Sequence, residues 1–378
     1  MTDKIVREYT KDFNQTPCQR NLIILMDGTW NDENGLQGSG LVTNIVRLFK
    51  SLGEDSSTQV ARYFRGVGND DDYTFIERIS GGAIGGGEER IRNHAYATLV
   101  KEWQPGDKVL IFGFSRGAAS ARMLAAQIHK EGIPENIKVT TESYSNRSTR
   151  NIEQRFVKYE NSGETRPVDV DFLGVWDTVG AFGVPVKLFG IPFNKINLFK
   201  DMHVSPNVQK AVHLIALDET RDPYKPTLMN QREGIHEAWF SGVHSDVGGS
   251  YAEDRLASTT LEYMVAQLKS LASIHIDFNE SQLNEYIGNL PDDDYVFHFH
   301  GLGYKKSLRE VFVQADDKPV KGAKPNVHES VLRIQDSRQS YSIVEEKNWF
   351  KPNSKRRVRI QYQPANIKIL KYGYEIIS

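Results

Sequence analysis

The sequence predicts a three-layer α/β fold with a mainly parallel central sheet. Three observations point there. Short continuous apolar runs at 21–26, 109–112 and 211–217 read as strands buried on both faces. Stretches of helical composition alternate with these runs, as strand–helix–strand crossovers require. The turns after the runs are rich in Gly, Asp, Ser and Thr, the composition of site-bearing loops at the carboxyl ends of parallel strands.

Bulk properties narrow the function classes. A chain of 378 residues is long enough for one large or two medium domains. A net charge of -2 gives no global attraction to nucleic acid. One cysteine, Cys18, excludes an internal disulfide framework and a cysteine-based zinc site. The first residues lack the apolar core of a cleavable signal, and no apolar run reaches the length of a membrane span. The expected location is therefore cytoplasmic as made, with any export by a route that needs no signal peptide.

Taken in order, residues 1–20 are polar and are expected to form an N-terminal arm, leaving 21–378 as the main domain. The run 21–26 ends in Asp27-Gly28-Thr29-Trp30-Asn31, a turn where Asp27 either caps the loop or supports a site. Residues 43–52 read as an amphipathic helix and 60–64 as a strand. The glycines of 81–87 open a helix reaching about Trp103, and without a following Lys-Ser or Lys-Thr they are no nucleotide loop. Residues 133–168 are polar and are expected as a helical or loop insertion forming a lid. A strand at 168–175 leads into Trp176-Asp177-Thr178-Val179-Gly180. Residues 181–206 form an apolar insertion, explained by packing or by contact with acyl chains or a membrane surface. His213, mid-strand, reads as a core residue, and the strand ends at Asp218. The last strong strand, 236–243, ends in His244-Ser245-Asp246-Val247-Gly248-Gly249, and 256–271 is a helix. The basic run Lys355-Arg356-Arg357 reads as a solvated face.

The chemistry centres on Gly113-Phe114-Ser115-Arg116-Gly117. A buried strand precedes this G-x-S-x-G and an Ala-rich helix follows it, the strand–turn–helix context in which such a serine projects as a nucleophile. The helix N-terminus and the Arg116 N–H favour an oxyanion beside Ser115, with a second donor expected from Gly28 or Thr29. A serine hydroxyl needs a base, and the base needs a carboxylate to fix its tautomer. In the chain order Ser, acid, His, the base is His244 and the acid is Asp177, preferred over Asp218 because Glu219, Arg221 and Asp222 explain Asp218 by ion pairing. This reading is an α/β-hydrolase-like serine esterase with no metal or cofactor. Two alternatives stay open: a metal-dependent hydrolase using Asp27, Asp177, His244 and Asp246, and a binding protein without turnover.

Four segments carry a family resemblance: 22–31, 106–118, 172–180 and 239–249. Together they resemble the catalytic domain of type VI secretion phospholipase effectors, a family that also includes uncharacterised α/β hydrolases. Val327-His328-Glu329-Ser330 and Tyr362-Gln363-Pro364-Ala365-Asn366 are similar to its C-terminal part. The resemblance implies a Ser115–Asp177–His244 triad and cleavage of phospholipid acyl esters. It also implies partners in a secretion apparatus or an immunity protein, while the net charge points to no nucleic acid. His328 is read by default as local packing.

Overall fold

The computed structural model describes residues 4–29, 31–35, 39–66, 83–145, 151–180, 203–288, 295–298, 306–337, 340–345, 355–370 and 372–378. The strands in chain order are β1 (Lys4–Thr10), β2 (Asn21–Met26), β3 (Gln59–Phe64), β4 (Lys108–Phe114), β5 (Ile133–Ser145), β6 (Ile152–Arg166), β7 (Val170–Trp176), β8 (Val208–Ala216) and β9 (Ile235–Phe240). After them come β10 (Tyr295–Phe297), β11 (Gln314–Ala315), β12 (Lys318–Pro319), β13 (Asn326–His328), β14 (Ser340–Glu345), β15 (Lys355–Ile360) and β16 (Glu375–Ile377). The helices used below are α1 (Asn44–Ser51), α2 (Ala83–Glu102), α3 (Arg116–Glu131), α4 (His244–Gly248) and α5 (Arg255–Lys269).

Eight strands form the central sheet in the order β16-β13-β9-β8-β7-β4-β2-β3. Every pairing in it is parallel. Alternate residues of its middle strands serve two cores. Leu22, Ile24, Val109, Ile111, Leu173 and Val175 pack with Leu99 and Val100 of α2 and with Ala121 and Leu124 of α3. Ile23, Leu25, Leu110, Phe112, Phe172 and Leu214 pack with Ile45 and Leu48 of α1 and with Leu261 and Met264 of α5. Two helical layers therefore sandwich the sheet and bury its middle strands, which is why those strands read as unbroken apolar runs.

Two peripheral regions differ from expectation. The described residues of 133–168 include no helix: β5 and β6 pair antiparallel, and β1 adds to the β5 edge. The polar composition hid these strands, in which Ile137, Thr140 and Phe156 are buried among neighbours that are half-buried or exposed. The N-terminal arm is accordingly a strand over Lys4–Thr10. The chain after it is pinned by Lys11 Nζ on the carbonyls of Lys101 and Trp103 (2.6 and 2.8 Å) and by the Arg20–Asp107 ion pair (3.0 Å). The β5–β6 pair ends beside Asp32 and Glu33, where Tyr144 and Phe156 line a groove of about 460 Å³ with Arg90 and His94. Of the expected insertion at 181–206, residues 181–202 lie outside the described residues, as does Trp30.

Candidate active site

Ser115 occupies the turn between β4 and α3 with φ 59°, a left-handed value that only a tight turn imposes on serine. The turn closes because its flanks lack side chains. A Cβ on Gly113 would stand 2.5 Å from the Gly117 carbonyl oxygen, and one on Gly117 would collide with the carbonyls of Met26 and Asp27. The neighbouring strand ends are stitched to it. Ser115 N–H donates to Trp176 O (3.1 Å), and Val179 N–H donates to Ser115 O (3.3 Å).

Asp177 follows β7, the strand paired with β4, so sheet order alone brings it beside the serine turn. His244 opens α4 after β9. Its Nδ1 lies 2.6 Å from Asp177 Oδ2 and its Nε2 lies 2.8 Å from Ser115 Oγ. The imidazole stacks on Phe114 (ring centroids 4.7 Å) and meets Tyr224 edge-on (5.0 Å). Ser115 is 9% exposed, His244 4% and Asp177 0%, so the whole line is buried and the serine is its least covered member.

Asp177 is held by more than His244. Arg309 Nη1 donates to its Oδ1 (2.5 Å) and Nη2 to its Oδ2 (2.9 Å), while Ala216 N–H donates to Oδ1 (2.9 Å). Burial opposes ionisation of this carboxyl, but Arg309 and His244 outweigh it and hold it well below the usual carboxylate range. An ionised Asp177 only accepts hydrogen bonds. The Nδ1 of His244 must then carry the proton, leaving the Nε2 lone pair to face the serine hydroxyl.

The other expected residues have separate partners. Asp27 accepts from Gly28 N–H (2.7 Å), Thr43 Oγ1 (2.9 Å) and Tyr63 Oη (2.8 Å). Burial pushes its carboxyl up to about 7 against those three donors. The Gly28 N–H, one of the two groups expected as a second oxyanion donor, is bonded to Asp27 in this structure. Thr29, the other, lies with Arg116 in the wall of a small cavity that also includes Glu88. Asp246 Oδ1 bonds His298 Nδ1 (2.7 Å) and its Oδ2 accepts the Val243 N–H (2.9 Å). The structure thus joins Asp177 to His244 but turns Asp27 and Asp246 elsewhere. Among the described residues no set of three or more His, Cys, Asp or Glu side chains converges as a metal ion would need. Asp218 bonds Gly242 N–H (2.7 Å) and Tyr362 Oη (2.8 Å), away from His244. His328 stacks on Phe240 (4.4 Å) and bonds Ser330.

Three contributors escaped the sequence reading. Arg309 sits 132 residues from its carboxylate partner in no motif. Glu219 accepts the His244 backbone N–H (3.3 Å) while paired with Arg221 (2.7 Å). Glu88 faces the Arg116 guanidinium at 3.9 Å, and burial pushes its carboxyl up to about 8 despite that cation. The acidic cluster after Asp218 was the available signal for Glu219. No local pattern marks the other two.

A family model described as "T6SS, Phospholipase effector Tle1-like, catalytic domain" matches residues 20–267, about two-thirds of the chain. The chain is 28% identical over 233 residues to the uncharacterized protein YEL023C of Saccharomyces cerevisiae, a match covering 54% of this chain and 32% of the yeast protein. Among solved structures it is similar to an uncharacterized protein from Pseudomonas aeruginosa, with a TM-score of 0.45 and 19% identity over 74% of this chain and 48% of that one. It is also similar to the Tle1 effector bound to the VgrG spike of the type 6 secretion system (TM-score 0.41, 20% identity, 63% and 52% of the two chains). The chain therefore spans about a third of the yeast relative and about half of these two structures.

Proposed function

The chain belongs to the family of T6SS phospholipase effector Tle1-like catalytic domains, and from that premise we propose that it is a serine hydrolase that cleaves carboxylic esters of acyl lipids through an acyl-enzyme. The observation that carries this reading is the hydrogen-bonded line Ser115 Oγ, His244 Nε2, His244 Nδ1, Asp177 Oδ2, seated on a left-handed serine turn. In this reading Ser115 Oγ attacks the ester carbonyl carbon while its proton passes to His244 Nε2. The carbonyl oxygen becomes an oxyanion held by the Arg116 and Thr29 N–H groups and the α3 dipole. The carbon–oxygen bond to the alcohol then breaks, and the alcohol leaves with the proton from His244. Water repeats the cycle: His244 takes its proton, the hydroxide attacks the acyl carbon, and the acid departs as Ser115 regains its proton. Asp177 orients the ring and stabilises the imidazolium without itself becoming protonated.

The family description supports phospholipid as the substrate and a secretion apparatus as a partner. Contact with a membrane surface and an immunity-type inhibitor belong to the same proposal. The test is fluorophosphonate labelling of wild type and Ser115→Ala, with and without a chelator. Labelling confined to wild type and indifferent to the chelator is the expected result. An unlabelled wild type whose ester turnover the chelator abolishes would overturn the serine reading. Fatty-acid release from phospholipid vesicles against short-chain esters then tests the substrate.

A further inference from the structure

Arg309 lies beyond the residues that the family model matches, yet it makes the closest cationic contact with the dyad. Its guanidinium is buried. It spans Asp177, the Ala216 carbonyl (2.7 Å) and the Tyr224 carbonyl, joining the turn after β7, the end of β8 and the loop whose Tyr224 ring faces His244. A brace alone would need only the two carbonyls. The bidentate contact adds a full positive charge to the same carboxylate, with Arg309 Nη2 and His244 Nδ1 sharing Oδ2.

That charge has a chemical consequence. A bare buried carboxylate holds the proton of an adjacent imidazolium tightly, so the ring remains protonated, and useless as a base, until the solution is less acidic. A cation on the same carboxylate cancels much of that field. The other groups facing the dyad leave this contact dominant. Glu219, at the His244 backbone, is paired with Arg221. Asp246 is paired with His298. Asp218, pushed up to about 7 by burial, bonds Tyr362 and Gly242. Arg116, beside the serine, faces Glu88. Tyr224 presents its ring edge to the imidazole. We propose that Arg309 is a positioning residue that extends the working range of the Asp177–His244 dyad toward acid pH. The inference rests on the serine-hydrolase reading for its effect on catalysis, but not for its effect on the ring.

The experiment measures the rate of fluorophosphonate labelling against pH for wild type, Arg309→Lys, Arg309→Met and Arg309→Gln, each shown to be folded by near-ultraviolet circular dichroism. The acid limb in the Met and Gln variants is expected to move upward by about one to two pH units. The Lys variant, which keeps the charge but loses the fork, should keep the wild-type limb with a lower plateau. A plateau lowered in every variant with no movement of the limb would overturn the proposal and leave Arg309 a brace. If the neutral variants fail to fold, a Lys variant whose limb moves upward by a unit would overturn it, and one whose limb stays would support it. The His244 ring resonances, followed by NMR through the same titration, need no turnover. If wild type is not labelled, the serine reading fails, and the ring titration alone decides for or against Arg309.

Discussion

Among the described residues two histidine–carboxylate pairs are buried, and only one of the two faces a nucleophile. His244 Nδ1 meets Asp177 at 2.6 Å, and His213 Nδ1 meets Glu237 at 2.7 Å. Each pair has an arginine near its acid: Arg309 in contact with Asp177, and the wholly buried Arg122 of α3 acting on Glu237. The difference lies at Nε2. His244 presents it to the Ser115 hydroxyl (2.8 Å), whereas His213 accepts the backbone N–H of Thr178 (3.1 Å). An amide proton does not transfer at ordinary pH, so His213 is a fixed acceptor. A hydroxyl proton transfers as its oxygen attacks, so His244 is a base in waiting. The strand pairing explains the contrast. His213 and Glu237 are register partners on β8 and β9 and are confined to the sheet, while Asp177 and His244 stand just past strand ends, where the chain is free to meet a third group.

The largest break in this comparison is Asp177→Asn. The amide can donate to Nδ1, which flips the tautomer and leaves Nε2 protonated toward Ser115, so kcat is expected to fall about 10⁴-fold with the fold retained. Arg309 would then be a buried cation without its counter-charge, lowering stability by about 3–5 kcal/mol. The pH dependence has a definite sign. The Asp177 carboxyl is depressed in the folded state, so its stabilisation is fully present above the unfolded value near ~4 and is lost as pH falls through the folded value. Thermal melts of wild type should therefore drop in that acid range. The Asn variant, already less stable at neutral pH, should lack this contribution to the drop.

His213→Ala is the intermediate case. It leaves the Thr178 N–H without an acceptor in the core and takes from Glu237 one of its two donors, at about 1–3 kcal/mol for each lost partner. The turn bearing Asp177, which sits at φ 39°, loses one of its ties. A fall of about tenfold in kcat with KM unchanged is expected, since a small misplacement of catalytic groups costs rate rather than binding. Steady-state kinetics on the folded fraction checks it. A loss as large as that of Asp177→Asn would break the distinction between the two pairs.

The same contrast governs what the sequence reveals. The parallel strands are legible because burial on both faces demands unbroken apolar residues, and the turns after β4, β7 and β9 stand out against them. Ser115, Asp177 and His244 are picked out by turn chemistry and chain order, and the structure brings their side chains together. The β5–β6 pair is hidden because an edge sheet with one solvated face is mostly polar, so its Ile137 and Phe156 among charged neighbours resemble a loop. Arg309 and Glu88 are hidden for a different reason. A side chain whose whole role is a contact made across a hundred residues of sequence leaves no periodicity or spacing around it. The Gly28–Asp27 bond is hidden too, because a turn glycine advertises an available N–H but not the carboxylate that takes it.

The finest test applies the same atomic change to the second pair. Glu237→Gln is as conservative as Asp177→Asn, yet it should act very differently. Glu237 Oε1 accepts from both His213 Nδ1 and the Met229 N–H (2.8 Å), and a glutamine carbonyl oxygen can accept both bonds unchanged. No tautomer need flip, because the Thr178 N–H already requires an unprotonated Nε2 on His213. What changes is charge: Arg122, bonded to the carbonyls of Thr227 and Leu228, loses the field of a nearby carboxylate. The variant should therefore lose about 1–2 kcal/mol of stability in a denaturant titration, below the cost of breaking a buried pair in contact. Its kcat should stay within about threefold of wild type, the change expected when no group touching substrate moves. An acid-to-amide change that costs about 10⁴ in one pair and almost nothing in the other would tie the function to what Nε2 faces. Equal losses would show that both pairs serve the turnover through one connected network.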